Sequence, residues 1–366
     1  MIILLKKVRM DFLHKQEEAM KKLALVFVAL AALCVAPLFA EGKKDAAKPA
    51  VDKVTTIAFV TNGAYTFWTY AKAGTTLAES EMPLKVVFYA PPNGTAEEQK
   101  RFIETMAAKG VDGIGVSVLD PANATPFLNS IGSKIPMVMF DSDADGATTN
   151  RKAYVGISNY GAGRAAGKEI AKALPSGGKF IIFVGKLDVQ NAIERRQGII
   201  DELLGLPAAE FYPGKMTPNT DKIELGKWTL LTTKLDGGDP MRAKSGAEEM
   251  IVAYPDAQLM VGLWSYSTPA FMSALKDAKL LGKMKIVAFD EEPMVLQGIK
   301  DGVVESTIVQ DPFEYGHTTA KLLYELVKGT AKIPGNKLIS VPGLVITKDN
   351  VAAFEKKLED QIKSSY

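Results

Sequence analysis

Two carboxylates stand directly behind apolar runs in distant parts of the 366-residue chain: Asp141 in Phe140-Asp141-Ser142-Asp143 and Asp290 in Phe289-Asp290-Glu291-Glu292. An ionised carboxylate accepts several hydrogen bonds at once and so suits a pair of vicinal hydroxyls. An aspartate after a strand is also a common helix N-cap, and that reading competes at both positions. Asn62 offers both a donor and an acceptor, and Phe67-Trp68 follows it at the start of a helical pattern. Such rings either fill a core or pack against the C–H face of a cyclic ligand. Arg195 and Arg196 point in neighbouring directions on a helix, so at most one faces a cleft, where its planar fork of donors could bridge hydroxyls or a carboxylate. The competing reading is a surface ion pair with Glu194 or Asp201. Trp264-Ser265-Tyr266 and Gln310-Asp311-Pro312 complete the set of polar and aromatic groups that follow apolar runs.

Other chemistries are poorly provided for. The only cysteine is Cys34 and the only histidines are His14 and His317. A Cys/His metal cluster or a cysteine nucleophile therefore has no material in the body of the chain, and a Ser-His-Asp triad could be built only on His317. That residue reads as a surface or capping histidine at the start of a helix. Gly161-Ala162-Gly163-Arg164-Ala165-Ala166-Gly167 matches a loose glycine motif, but it lies in a helix and no phosphate-binding lysine follows, so the small residues imply close helix packing. Asp236 and Asp239 are too sparse for a calcium loop. No metal and no cofactor are expected. A net charge of +2 with Lys and Arg interleaved among Asp and Glu gives no basic face for nucleic acid.

These groups need a scaffold that collects strand ends. Short apolar runs at 54–61, 84–90, 112–118, 135–140, 179–184, 258–263, 284–289 and 305–309 read as strands. Helical patterns at 67–80, 95–109, 122–133, 161–174, 190–204, 241–254, 268–280, 293–301 and 314–328 separate or follow them. Alternation of this kind implies βαβ units and parallel sheets covered on both faces. The number of strands exceeds one average domain, which predicts two lobes. In open parallel sheets, ligands bind at the carboxyl ends of strands, where the residues above stand.

The N-terminus reads as an address. Met20-Lys21-Lys22 precedes the apolar run 23–36, and Leu38-Phe39-Ala40 precedes a polar stretch. This is the pattern of a secretory signal peptide, too short to span a membrane, with cleavage after Ala40 and an alternative start at Met20. Cys34 offers a second outcome, acylation as a lipoprotein, although Leu33 stands where a small residue is usual. Residues 41–53 read as a disordered spacer.

From about Val54 to Val345 the chain resembles the periplasmic sugar-binding proteins of the ribose/galactose type, relatives of the ligand domain of lac-repressor-type regulators. The stretches that carry the resemblance are Asn62 with Phe67-Trp68, Gly110-Val111-Asp112-Gly113-Ile114, Phe140-Asp141-Ser142-Asp143, Asn191-Ala192 with Arg195 and Gly198, Val261 to Tyr266, Val287-Ala288-Phe289-Asp290, and Thr307 to Pro312. The resemblance implies a type I periplasmic binding protein: two doubly wound α/β lobes joined by three crossovers. It divides the chain into 54–158 plus 311–339 and 159–310 plus 340–366. It further implies a monomer, not an enzyme, that closes on a small sugar in the periplasm and delivers it to an ABC-type membrane permease. Asn62, Phe67, Trp68, Asp141, Arg195, Asp290 and Gln310 are then the ligand contacts, joined by Trp264 and Ser265. Ser142 stands where ribose-type members carry Arg, and Trp264-Ser265-Tyr266 where they present Asn, which argues against ribose itself. A nucleoside or furanosyl signal as ligand, and a role in chemotaxis, fit the same residues. A repressor would need an N-terminal helix-turn-helix, and a glycosidase would use Asp141 and Asp290 as an acid/base pair.

Overall fold

The computed structural model describes residues 54–363 apart from 145, 210, 211 and 221. The leader, the spacer and Cys34 lie outside the described residues.

The alternation read from the sequence builds two sheets. Strands β1 (Thr55–Val60), β2 (Leu84–Tyr89), β3 (Gly113–Val116), β4 (Met137–Phe140), β5 (Ala153–Gly156) and β12 (Leu338–Ser340) form the first, in the order β12-β5-β4-β3-β1-β2, all neighbours parallel. The second contains β6 (Gly178–Val184), β7 (Ile223–Leu225), β8 (Trp228–Leu235), β9 (Leu259–Gly262), β10 (Lys285–Phe289), β11 (Ser306–Val309) and β13 (Leu344–Ile346). Its order is β13-β11-β10-β9-β6-β8-β7, and only the two edge strands β13 and β7 run antiparallel. The central strands are apolar throughout because helices cover both faces: Ile57, Ala58, Phe59 and Val60 are fully buried, as are Phe180 to Val184.

Helices α1 (Phe67–Glu81), α2 (Ala96–Ala108), α3 (Pro121–Gly132) and α9 (Pro312–Lys328) serve the first lobe. Helices α4 (Asn159–Ala173), α5 (Gln190–Leu203), α6 (Pro240–Ala253), α7 (Ser267–Asp277) and α8 (Pro293–Lys300) serve the second, and α10 (Val351–Lys363) touches both α8 and α1. Local sequence explains the starts. Thr95 and Glu98 form a reciprocal capping box on α2, and Asp239 caps α6. The glycine-rich run proves to be the expected packing device. A methyl group on Gly163 of α4 would lie 2.1 Å from the Arg195 carbonyl oxygen, so α4 and α5 approach backbone to backbone. The first lobe repeats the arrangement between α1 and α9, where a methyl on Gly316 would lie 1.9 Å from the Ala71 carbonyl.

Five strands and the last helix escape the sequence pattern. β5, β7, β12 and β13 have only three or four residues each and stand at or next to a sheet edge, outside the strand–helix alternation that marks the equally short β3, β4, β9 and β11. β8 reads Trp-Thr-Leu-Leu-Thr-Thr-Lys-Leu and lies near the sheet edge, where alternate positions meet solvent. Ser340, which the resemblance assigns to the second lobe, pairs with Gly156 in the first sheet.

The chain crosses between sheets after β5, after β11 and between β12 and β13. One side chain ties two of these crossings together: the Tyr315 hydroxyl accepts from the Ile157 amide at 3.2 Å and donates to Gln310 Oε1 at 3.2 Å. Among the described residues, no helix is long and apolar enough to cross a membrane, and no cluster of three His, Cys, Asp or Glu could hold a metal. His317 lies inside α9, 2.7 Å from Glu81 Oε2, and does not line the cleft.

Candidate functional site

Asp141 and Asp290 occupy equivalent places, each the first residue after its strand, with positive φ of 59° and 71°. Neither is a helix N-cap: no helix follows Asp141 directly, and Glu292 caps α8. The left-handed backbone costs an L-residue energy and is kept where the surroundings hold it, commonly at functional sites. Both carboxylates line one cleft between the sheets.

The nine residues nominated from the sequence all line this cleft: Asn62, Phe67, Trp68, Asp141, Arg195, Trp264, Ser265, Asp290 and Gln310. The charged groups form its floor. Arg195, 1% exposed, donates from Nε to Asn159 Oδ1 at 2.9 Å and from Nη1 to the Leu263 carbonyl at 2.8 Å. Its guanidinium lies 4.9 Å from the centre of the Phe289 ring, and Nη2 lies 3.9 Å from Asp141 Oδ1 without a hydrogen bond of its own. Asp141 Oδ2 accepts from Ser117 Oγ at 2.8 Å and from Asn62 Nδ2 at 3.2 Å. Asp290 Oδ1 accepts from Gln310 Nε2 at 2.6 Å. Arg195 is thus the buried cation that acts on both carboxylates, and it is fixed by bonds to Asn159 and Leu263 that leave Nη2 free of them.

Burial dominates the electrostatics. It pushes Asp290 up to about 7, while Arg195 and the Gln310 hydrogen bond pull the other way. Asp141 is likewise raised by burial, opposed by Arg195 and by hydrogen bonds from Ser117, Asn191 and Asn62. On the neighbouring turn of α5, burial raises Glu194 to about 7.

The aromatic residues do more than line walls. Trp68 donates its indole N–H to Asn62 Oδ1 at 3.1 Å, and Trp264 donates to Asn191 Oδ1 at 3.1 Å. Each lobe therefore uses a tryptophan to occupy an asparagine oxygen, which turns the amide N–H₂ towards Asp141. Phe67 and Trp68 meet edge to face at 4.8 Å and are 6% and 3% exposed, so they serve core and cleft together. Trp264 lies against Gly185, where a methyl group would fall 1.9 Å from the ring.

Arg196 behaves unlike either sequence expectation. It is fully buried and turned away from the cleft, donating to Thr233 Oγ1 at 2.9 Å and to the Thr217 carbonyl at 2.7 Å. Neither arginine makes the surface ion pair with Glu194 or Asp201 that the sequence left open. Arg196 instead anchors the long 205–222 connection, and nothing near it in sequence names those acceptors. The cleft also gathers Tyr65, Asn93, Gly94, Leu119, Lys186, Asn191, Tyr266 and the Gly237-Gly238 turn. Asn191 and Tyr266 lie in motifs already noted; Asn93, in Pro91-Pro92-Asn93-Gly94, reads from sequence simply as a turn.

Comparison with known proteins places this geometry. The family model of the periplasmic binding protein domain matches residues 57–331. The chain belongs to the periplasmic binding protein family. This binding protein is 24% identical over 277 residues to the D-galactose/methyl-galactoside binding periplasmic protein of Haemophilus influenzae, covering 69% of this chain and 77% of the relative. It is 23% identical over 279 residues to the D-allose-binding periplasmic protein of Escherichia coli, covering 74% and 84%. Among solved structures, an ABC transporter solute-binding protein from Burkholderia graminis in complex with D-arabinose superposes with a TM-score of 0.72 at 26% identity, covering 82% of this chain and 98% of that one. A solute-binding protein from Agrobacterium vitis with bound D-fucose shares the fold at TM-score 0.73 and 21% identity, covering 83% and 99%.

Proposed function

We propose that this periplasmic binding protein captures a single neutral ring sugar by hinged closure and presents it to an ABC-type membrane permease. The observation that carries the reading is the meeting of Asp141 from the first lobe with Arg195 and Asp290 from the second, all buried in one polar cleft. Two carboxylates that accept and a guanidinium and two oriented amides that donate match a ring bearing hydroxyls on several carbons. Asp141 and Asp290 face Arg195 and Lys186 in the lining, so the formal charges balance, which suits a neutral ligand. The sugars named for the relatives support the same class.

Closure would bring Asn62, Phe67, Trp68 and Asp141 against Arg195, Trp264, Ser265, Asp290 and Gln310, with the chain flexing at its three crossings. The permease would read the closed pair of lobes. No step requires bond chemistry, so binding and release are the whole function. Export to the periplasm agrees with the N-terminal address read from the sequence, and we propose that the protein acts there as a monomer.

A thermal-shift screen of pentoses, hexoses, disaccharides and nucleosides tests the proposal. A bound ligand at a hundred times its Kd adds about 2.7 kcal/mol of stability. One or a few monosaccharides should raise the melting temperature by several degrees. Stabilisation by nucleosides alone, or by nothing in the set, would overturn the sugar reading.

A further inference from the structure

We infer that Tyr65 is a specificity-determining residue that latches the mouth of the cleft across the lobes and restricts the ligand to one unextended ring. The inference rests on the sugar reading for the identity of the ligand, but not for the latch itself.

The cleft has a clear depth. Its floor residues Arg195, Gln310, Asp141 and Asp290 are 1–4% exposed, whereas Asn93 and Gly237 on its rim are exposed and Tyr65 is half-buried between them. Tyr65 belongs to the first lobe, in the turn between β1 and α1, and packs against that lobe's core, yet its ring stacking and its hydroxyl hydrogen bond reach the second. Its ring stacks on Tyr266, centroids 5.4 Å apart and planes 24° from parallel, and its hydroxyl donates to the Gly238 carbonyl at 3.3 Å. One face of Tyr65 is therefore taken by a protein ring.

The receiving surface is built for it. Tyr266 donates its hydroxyl to Asp236 Oδ1 at 2.5 Å, and the same oxygen accepts from the Gly238 amide at 2.9 Å. Asp236, itself 3% exposed and outside the cleft lining, thus fixes both the ring and the carbonyl that Tyr65 meets. Gly237 and Gly238 both have positive φ, 73° and 87°, a backbone course that brings this carbonyl to the rim and that side-chain-bearing residues resist. On the first lobe Gly63 clears the seat, since a methyl group there would fall 2.4 Å from the Tyr65 ring. Ala243 and Ala270, both small, complete the pocket around Tyr266.

On this reading a group attached to a ring seated on the floor leaves past the exposed rim formed by Asn93 and Gly237, beside which the half-buried Tyr65 ring stands. An extended ligand has to break the stack and the hydrogen bond. A single ring leaves both intact and is held until they open.

The test pairs monosaccharides with disaccharides that contain them: D-galactose with lactose, D-glucose with cellobiose, and D-xylose with xylobiose. Equilibrium binding and stopped-flow tryptophan fluorescence are measured for wild type, Tyr65→Phe and Tyr65→Ala. Wild type is expected to bind at least one monosaccharide and its disaccharide at least about a hundredfold more weakly. Tyr65→Ala should speed monosaccharide dissociation on the order of tenfold by removing stack and hydrogen bond, and shrink the disaccharide gap to a similar extent. Tyr65→Phe, which keeps the stack, should retain the discrimination and speed dissociation about fivefold. Equal binding of a disaccharide by wild type, or unchanged gap and dissociation in Tyr65→Ala, overturns the inference. If no sugar binds wild type, the sugar reading fails separately. The latch is then judged by acrylamide quenching of Trp68 and Trp264 without ligand. A higher quenching constant in Tyr65→Ala supports it, and an unchanged one overturns it.

Discussion

Asp290→Asn should weaken sugar capture at neutral pH and abolish its pH dependence. Asp290 is 4% exposed, and burial raises its carboxyl to about 7 against the pull of Arg195 and Gln310. A ligand hydroxyl that donates to the carboxylate favours the ionised form, so ligand and proton compete for the same oxygens. Linkage then scales the apparent Kd by one plus ten to the power of (7 − pH): roughly 1 at pH 8, about 2 at pH 7 and about 100 at pH 5. Affinity is therefore full above pH 7 and lost as pH falls. The stability of the ligand-free fold runs the other way, because a carboxyl raised from 3.8 to about 7 favours the folded state at acid pH and loses that advantage as pH rises through 7. Asparagine keeps an acceptor for Gln310 but exchanges charge-assisted bonds for neutral ones, at about 1–1.5 kcal/mol per hydroxyl. For a vicinal pair this is about 2–3 kcal/mol, or roughly 30- to 150-fold in Kd at pH 8. Isothermal titration calorimetry of wild type and variant at pH 5, 6, 7 and 8 measures both effects. A flat wild-type profile, or the same slope in Asp290→Asn, would refute the role given to this carboxylate.

Glu194 is raised to about 7 from 4.5, chiefly by burial, so its contribution to stability is present below about pH 4.5 and lost through pH 7. Glu194→Gln should accordingly gain up to about 3 kcal/mol over wild type at pH 8 and nothing at pH 4; equal urea midpoints at pH 8 would count against it. Gly163→Ala places a methyl group 2.1 Å from the Arg195 carbonyl. It should cost about 1–3 kcal/mol by forcing α4 from α5, seen as a lower melting temperature. Trp264→Phe removes the donor to Asn191 Oδ1 and should weaken sugar binding about fivefold, the value of one hydrogen bond. Unchanged affinity would show that the indole does not hold that amide.

How much of this was legible before any coordinates? The helical patterns correspond to α1 to α9, because each presents an apolar face at helical spacing over at least two turns. The buried central strands were equally plain, since both faces must be apolar. The rule that ligands meet strand ends then picked Asn62, Asp141, Asp290 and Gln310, residues defined by place in a βα unit and thus by local sequence. Trp68 and Trp264 read as lining groups, but their hydrogen bonds do not: the Trp264–Asn191 pair spans 73 positions, and the Trp68–Asn62 pair, six apart, depends on the fold of the turn between β1 and α1.

Sequence by itself determined the class of the fold, the rhythm of its elements and the candidate polar groups, since these follow from periodicity and residue type. Tertiary structure alone decided where Arg196 goes, which bonds hold Arg195 and the two carboxylates in place, and what stands at the rim. Arg195 and Arg196 are neighbours of one type on one helix, and only the packing of α4 against α5 sends the first to the cleft and the second to the 205–222 connection. Tyr65 shows the same limit more sharply. Nothing local distinguishes it from any other turn tyrosine, and its partners Gly238 and Tyr266 lie 173 and 201 positions away, brought to it only when the two lobes meet.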